Sequence, residues 1–252
     1  ESSFAKEISK PGDEGYLFVL EDQSTGDIVG TTGIEAAVGL HTPLYHFQQN
    51  TVMHHSAELN VLNQLKTLTL CNDYTGASEI CTLFLREAYR KGNNGRMLSR
   101  SRFLFLAQHA KRFGETVIAE MRGVSDAEGH SPFYGWLQKH FLGIDFIQAD
   151  YLSGLGKKAF MAEMMPRNPV YVCLLPEEAQ KVIGEVHTNT RPALSLLQAE
   201  GFRCRGYVDI FDGGPTVECR LSDIRGVRES RLLTVDIGDM VEADTQFIIS
   251  NT

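Results

Sequence analysis

The chain has 252 residues, 42% of them hydrophobic and 22% charged, with a formal net charge of −8, so it can bury a substantial core as one large domain or as one domain with a smaller appendage. The acidic balance argues against a nucleic-acid partner, which calls for clustered Lys and Arg, and it suits a cationic substrate. Cys71, Cys81, Cys173, Cys204 and Cys219 are odd in number, widely spaced and never in a Cys-x-x-Cys pair. They read as reduced thiols in a cytoplasm rather than as a disulfide or zinc framework. No apolar run reaches membrane-spanning length and no signal-like segment opens the chain.

In chain order, a polar, helix-like start at Glu1 leads to Gly15–Glu21 and Asp27–Glu35, two strand patterns joined by Asp22-Gln-Ser-Thr-Gly26 as a hairpin. Residues 51–75 are a mixed apolar stretch that fits strand or helix. Its adjacent His54 and His55 point in different directions on either element and make no metal site alone. A strand over Ser78–Leu85, a glycine-bearing turn Arg90-Lys-Gly-Asn-Asn-Gly95 and a helix start over Arg96–Ala107 then follow in immediate succession. This is the wiring of an anion site: the helix N-terminus offers unsatisfied N–H groups, the small residues let phosphate oxygens approach, and Arg90 supplies the countercharge. The spacing is neither a Walker loop nor the dinucleotide fingerprint.

Thr116–Met121 reads as a buried strand. Ser131–Phe146 reads as a helix, capped by Ser131 with Pro132 in its first turn, leading into another strand. Asn189–Phe202 repeats this grammar, with Pro132 and Pro192, Leu137 and Leu197, Gln138 and Gln198 in register. It reads either as a second helix-strand unit of the same kind at 187–212 or as a coincidence of capped amphipathic helices. After Asp212-Gly-Gly-Pro215 the chain alternates like β-structure over Thr216–Leu221, Arg231–Ile237 and Gln246–Ile249.

The turn Arg90-Lys-Gly-Asn-Asn-Gly95 resembles the Arg/Gln-x-x-Gly-x-Gly/Ala pyrophosphate loop of the acyl-CoA N-acyltransferases, the GNAT superfamily, with Asn93 where that pattern has its first glycine. The hairpin, the strand before the turn and the Ser131 helix agree with that superfamily in order. Longer words, among them Cys81-Thr-Leu-Phe-Leu, Leu98-Ser-Arg-Ser-Arg-Phe, Ala119-Glu-Met-Arg-Gly-Val, Val182-Ile-Gly-Glu-Val-His and Tyr207-Val-Asp-Ile-Phe-Asp-Gly-Gly-Pro-Thr, are similar to the arginine N-succinyltransferase family across nearly the whole chain. The resemblance implies an α/β, GNAT-like fold over residues 1–205 and a β-rich, barrel-like appendage over 206–252. The strand and helices that precede the hairpin in that superfamily are not in this sequence, which reads as a fragment or as a chain lacking its first residues.

The resemblance further implies succinyl-CoA and L-arginine as substrates, N2-succinylarginine as product, the first step of an ammonia-releasing bacterial arginine pathway, no metal, and a homo-oligomer or a pairing with a homologous subunit. Alternatives are a same-fold acyltransferase acting on ornithine or another amine, and a non-catalytic partner that binds CoA or arginine. CoA would be held by Arg90, Asn93, Gly95 and Arg96 at the pyrophosphate, and by the backbone of Leu83, with Phe84 and Leu85 alongside, at the thioester. His187, whose Val-His segment matches the family's proposed proton donor, is the choice for proton transfer, with Tyr134 as its rival for protonating the thiolate. Cys81 alternates within a buried strand and reads as a structural thiol. A guanidinium calls for a carboxylate; Glu120 in its apolar strand is the first choice, with Asp126, Glu128 and Asp212 as alternatives.

Overall fold

The computed structural model describes residues 2–145, 148–149, 151–152, 163–234 and 248–250. Its strands are β1 (Gly15–Asp22), β2 (Asp27–Glu35), β3 (His46–Ser56), β4 (Val61–Cys71), β5 (Ser78–Leu85), β6 (Thr116–Glu120), β7 (Val170–Tyr171), β8 (Arg203–Asp209) and β9 (Pro215–Arg220). Its helices are α1 (Ser2–Ala5), α2 (Asn94–Gln108), α3 (Pro132–Leu137), α4 (Glu177–Val182), α5 (Arg191–Glu200) and α6 (Arg225–Arg228). The described strands form one sheet in the order β1-β2-β5-β6-β9-β8-β3-β4-β7. Within it β5 and β6 pair parallel and the other neighbours antiparallel.

The expected hairpin is β1–β2, and its turn closes because the Asp22 carbonyl accepts from Gly26 N at 2.7 Å while its carboxylate accepts from Ser24 N and Oγ. The undecided stretch at 51–75 lies on two strands, β3 and β4, paired along their whole length. Strand β5 and helix α2 fall where the spacing places them. The helix of the Ser131 segment is α3, with the Ser131 side chain accepting from Tyr134 N. The strand expected after it is not formed at Ile144 and Asp145: Gly143 takes a left-handed φ of 68° that ends the helix, and Phe146 lies outside the described residues.

The barrel-like appendage is also corrected. Strand β8 spans residue 205, and β8 and β9 sit inside the sheet between β3 and β6 rather than in a closed barrel of their own. Their pairing places them there, β8 with β3 and β9, and β9 with β6, and Val208 and Val217 are buried to 0% and 1%. Arg231–Thr234 and Ile248–Ser250 are not strands, and residues 235–247 lie outside the described residues.

Helix α2 and the Phe202 corner cover β1, β2, β5, β6 and β9 through Tyr16, Ile34, Phe103, Leu106, Val117 and Phe202. Each such fully buried side chain contributes about 1.5–3 kcal/mol. A second cluster packs Phe133, Tyr134 and Leu137 of α3 against Phe47, Leu68 and Val208. The buried carboxylate of Glu200 accepts from Arg100 Nε at 3.1 Å, from Arg225 and from Gly226 N, which staples α5, α2 and α6 together. Among the described residues no helix is long and apolar enough to cross a membrane.

Candidate active site

The parallel pair is joined at its start alone. Ser78 pairs with Val117 and Glu79 with Ile118, after which β5 runs on to Leu85 bonded to β2 on its other side. Among the described residues, the edge of β5 that faces β6 is therefore unpaired from Ile80 onward, which leaves its N–H and C=O groups for a ligand strand or chain. Thr82 lies on this stretch of β5. It adopts φ 49° in a bulge between the Gly33–Cys81 and Thr31–Phe84 pairs, and Thr31 Oγ1 donates to the Thr82 carbonyl at 3.0 Å. A β-branched residue in the left-handed region is strained by about 1–3 kcal/mol, and such strain concentrates at functional sites. Leu83, the residue expected to present its backbone to a thioester, follows directly.

Strand β5 then delivers the chain into the anion turn. Arg90 is exposed, and its Nε donates to the Leu85 carbonyl at 2.9 Å, which ties its side chain to the end of β5. The left-handed residue of the turn is Gly92, with φ 56°, while Asn93 has φ −105°, so the turn's register lies one place earlier than the Asn93 match implies. Glycine takes that conformation without the Cβ clash that Asn would meet. The Asn93 side chain makes no cap, and the N–H groups of Gly95 and Arg96 have no protein acceptor among the described residues. A 15-residue helix thus points uncapped donors at solvent.

The carboxyl end of β6 assembles the second half. Asp212, in the β8–β9 turn, accepts from Gly123 N at 2.7 Å and from Gly214 N at 2.8 Å, and Asp209 accepts from Phe211 N and Asp212 N. The turn needs glycine at 214, since a Cβ there would lie 2.1 Å from the Met121 carbonyl. Gly184 N donates to Gly213 O, Val186 bridges Gly123, and His187 N donates to Arg122 O at 2.9 Å, so the turn pins the His187 segment beside the end of β6. His187 is half-buried at the start of a one-turn helix, where its Nδ1 accepts from Asn189 N at 3.2 Å. That bond assigns the ring proton of the neutral form to Nε2, the free end of the ring.

Glu120 ends β6 half-buried, with Oε1 2.8 Å from Nε2 of the fully buried His46, a close contact out of line for a hydrogen bond. Burial raises the carboxyl pKa of Asp209 well above its ordinary value, as do Asp212 and Glu120, and burial likewise raises that of Asp212. The end of β6 is thus a carboxyl-rich, partly dry surface beside His187. Asp126 and Glu128 lie elsewhere, in an exposed loop whose ligand-type atoms, with His130, lie within 4.8 Å of one another. Asp126 there accepts from Glu128 N and His130 N, which accounts for the cluster as loop closure.

Tyr134 is buried in the second core. Its hydroxyl donates toward the carbonyls of Ile144 and Asp145, at 3.0 and 3.2 Å, and burial pushes its pKa up to about 12. Burial, with Glu79 nearby, pushes the Cys81 thiol up to about 11, which disfavours a nucleophilic thiolate. The structure adds Thr82, His46 and Asp209 to the residues the sequence singles out. A Thr in a strand and a His in an alternating run carry no local signal, because bulge and face are set by the neighbouring strands. Asp209-Ile-Phe-Asp-Gly-Gly had one: paired aspartates around a glycine turn.

The family model described as "Arginine N-succinyltransferase beta subunit" matches residues 1–226. The chain is 52% identical over 242 residues to an arginine N-succinyltransferase of Salmonella schwarzengrund, covering 96% of this chain and 70% of the relative. It is 54% identical over 233 residues to that of Salmonella paratyphi B, covering 92% and 68%. A solved structure, arginine/ornithine succinyltransferase subunit AI from Pseudomonas aeruginosa, matches with a TM-score of 0.84 and 38% identity over 95% of this chain and 69% of that one. An open β5 edge, an uncapped anion turn and a histidine beside an acidic strand end thus occur on a chain that belongs to the arginine N-succinyltransferase family.

Proposed function

We propose that this chain transfers the succinyl group of succinyl-CoA to the α-amine of L-arginine, giving N2-succinyl-L-arginine and CoA, the entry reaction of the ammonia-producing arginine pathway. The observation that carries the reading is convergence. The open edge at Leu83, the acidic end of β6 at Glu120 and the His187 segment all lie at the carboxyl ends of the parallel β5–β6 pair, where α/β sheets bind their ligands. The splayed pair and the turn between β5 and α2 support a GNAT-like fold. The solved relative, named as a subunit, supports an oligomer.

In this reading Arg90 and the N–H groups of Gly95 and Arg96 hold the pyrophosphate, with Asn93 lining the turn. The pantetheine runs along the open edge of β5, and the N–H groups of Leu83 and Leu85 polarise the thioester carbonyl. The neutral α-amine attacks the carbonyl carbon, the C–S bond breaks, and the thiolate takes up one proton as the amine gives one up. His187 gives its Nε2 proton to the thiolate as the ring takes up the proton that the amine loses, so the ring ends neutral. Tyr134 is the rival acid, and the attachment of its hydroxyl to the carbonyls of Ile144 and Asp145 favours His187. Glu120 receives the guanidinium: Asp209 Oδ1 and both oxygens of Asp212 accept backbone N–H groups, while Glu120 is part-exposed at the end of its strand, beside His46.

A second reading, ornithine as acceptor, is favoured by the name of the solved relative. Free-thiol release from succinyl-CoA across arginine, ornithine and lysine tests both readings. Release with arginine above the others is expected, ornithine leading would select the second reading, and release with none would refute both.

A further inference from the structure

Helix α2 leaves the carboxyl end of β5 and so runs antiparallel to it, which makes it parallel to β2. Their register is fixed at Gly30, where a Cβ would lie 3.0 Å from Leu98 Cδ2. One helical turn on from Leu98 is Arg102, a rise of about 6 Å. Two residues on from Gly30 is Thr32, about 6.8 Å along the strand on the same face. The next step along both elements brings Ile34 and Leu106 into one core cluster, as that register requires. Arg102 therefore lies over Thr32. Because Thr31 and Gly33 pair with Phe84 and Cys81, Thr32 stands across from the Thr82 bulge, one residue from Leu83.

Both side chains are buried. Arg102 is 2% exposed, and its hydrogen bonds are Nε to Ser99 O at 3.1 Å and Nη2 to Ser99 Oγ at 2.9 Å. No carboxylate pairs with it among the described residues, although the Phe103 ring lies 5.8 Å from its guanidinium carbon. Burial pulls its pKa down to about 10, a sign of a charge short of compensation. Thr32 is 0% exposed and its Oγ1 has no hydrogen-bond partner among the described residues. A buried cation beside an unpaired hydroxyl is costly unless an anion completes the group.

We propose that Arg102, with Thr32 and Ser99, receives the free carboxylate of the succinyl group and selects a dicarboxylic acyl-CoA over a monocarboxylic one. In succinyl-CoA that carboxylate lies three bonds beyond the thioester carbon, and the subsite adjoins the Leu83 backbone assigned to the thioester carbonyl. The proposal rests on the succinyltransferase reading above.

The test compares succinyl-CoA with butyryl-CoA, which carries a methyl group in place of the carboxylate, by thiol release with L-arginine. The wild-type chain should favour succinyl-CoA. Arg102→Met should lower kcat/KM for succinyl-CoA by on the order of 10–10²-fold, as for the loss of a charge-assisted hydrogen bond, and leave that for butyryl-CoA nearly unchanged. Arg102→Lys should restore part of the preference. Equal losses with both thioesters would mark Arg102 as a packing residue and overturn the proposal. Should Arg102→Met fail to fold, Thr32→Val decides: a reduced succinyl/butyryl ratio supports the subsite and an unchanged one overturns it. No wild-type turnover of succinyl-CoA would instead sink the underlying functional reading.

Discussion

Replacing His187 separates catalysis from folding, because the structure gives its backbone and side chain different tasks. Its N–H bond to Arg122 O survives any side chain except proline, so the segment stays pinned to β6. The side chain caps one helical turn through Nδ1 and Asn189 N. Losing such a cap costs about 0.5–2 kcal/mol, and a half-buried single turn belongs near the lower end. A general acid contributes about 10²–10⁴ in rate, or about 3–5.5 kcal/mol at 1.36 kcal/mol per decade. The catalytic effect should thus exceed the structural one several-fold. His187→Ala should show both losses. His187→Asn supplies a capping oxygen but no transferable proton, so it should melt near the wild-type temperature with kcat still lowered by on the order of 10²–10⁴. Thiol-release kinetics and thermal melts on the two variants check this. Near-normal kcat in His187→Asn, with loss confined to His187→Ala, would reduce His187 to a helix cap and refute the reasoning.

Arg90→Ala should weaken CoA binding by about 1–3 kcal/mol in titration calorimetry, the range for one charge-assisted hydrogen bond; unchanged affinity would place the pyrophosphate elsewhere. Tyr134→Phe should cost about 1 kcal/mol of stability from its lost bonds to Ile144 and Asp145, with kcat nearly intact. A collapse of kcat without that melting shift would return the acid's role to Tyr134. Asp209 has a raised folded-state pKa, so its stabilising contribution is full below the unfolded value near 3.9 and is lost as pH rises through the folded one. Asp209→Asn keeps an oxygen for Phe211 N and Asp212 N, and should raise the urea midpoint more at pH 8 than at pH 5; the opposite order would contradict a raised Asp209 pKa.

Much of this fold is legible in the sequence because the signals are local. Asp22 to Gly26 closes a hairpin with its own side chains, Ser131 caps a helix three residues on, and alternation over Ser78–Leu85 marks a strand wherever it pairs. Arg90, Gly92 and Gly95 announce an anion turn by chain proximity alone, and the family resemblance rests on words of this kind. Tertiary structure alone decided the rest. Residues after 205 alternate like a free-standing barrel, and only pairing with the distant strands β3 and β6 sets β8 and β9 inside the sheet. Thr82 becomes a strained bulge because β2 sets its register, and β5 opens because β6 diverges after two pairs. Arg102 in a helix reads as a surface charge until β2 places Thr32 beneath it. Backbone conformation follows from near neighbours along the chain, whereas burial, strand register and the meeting of charges depend on residues tens of positions apart, which no local pattern encodes.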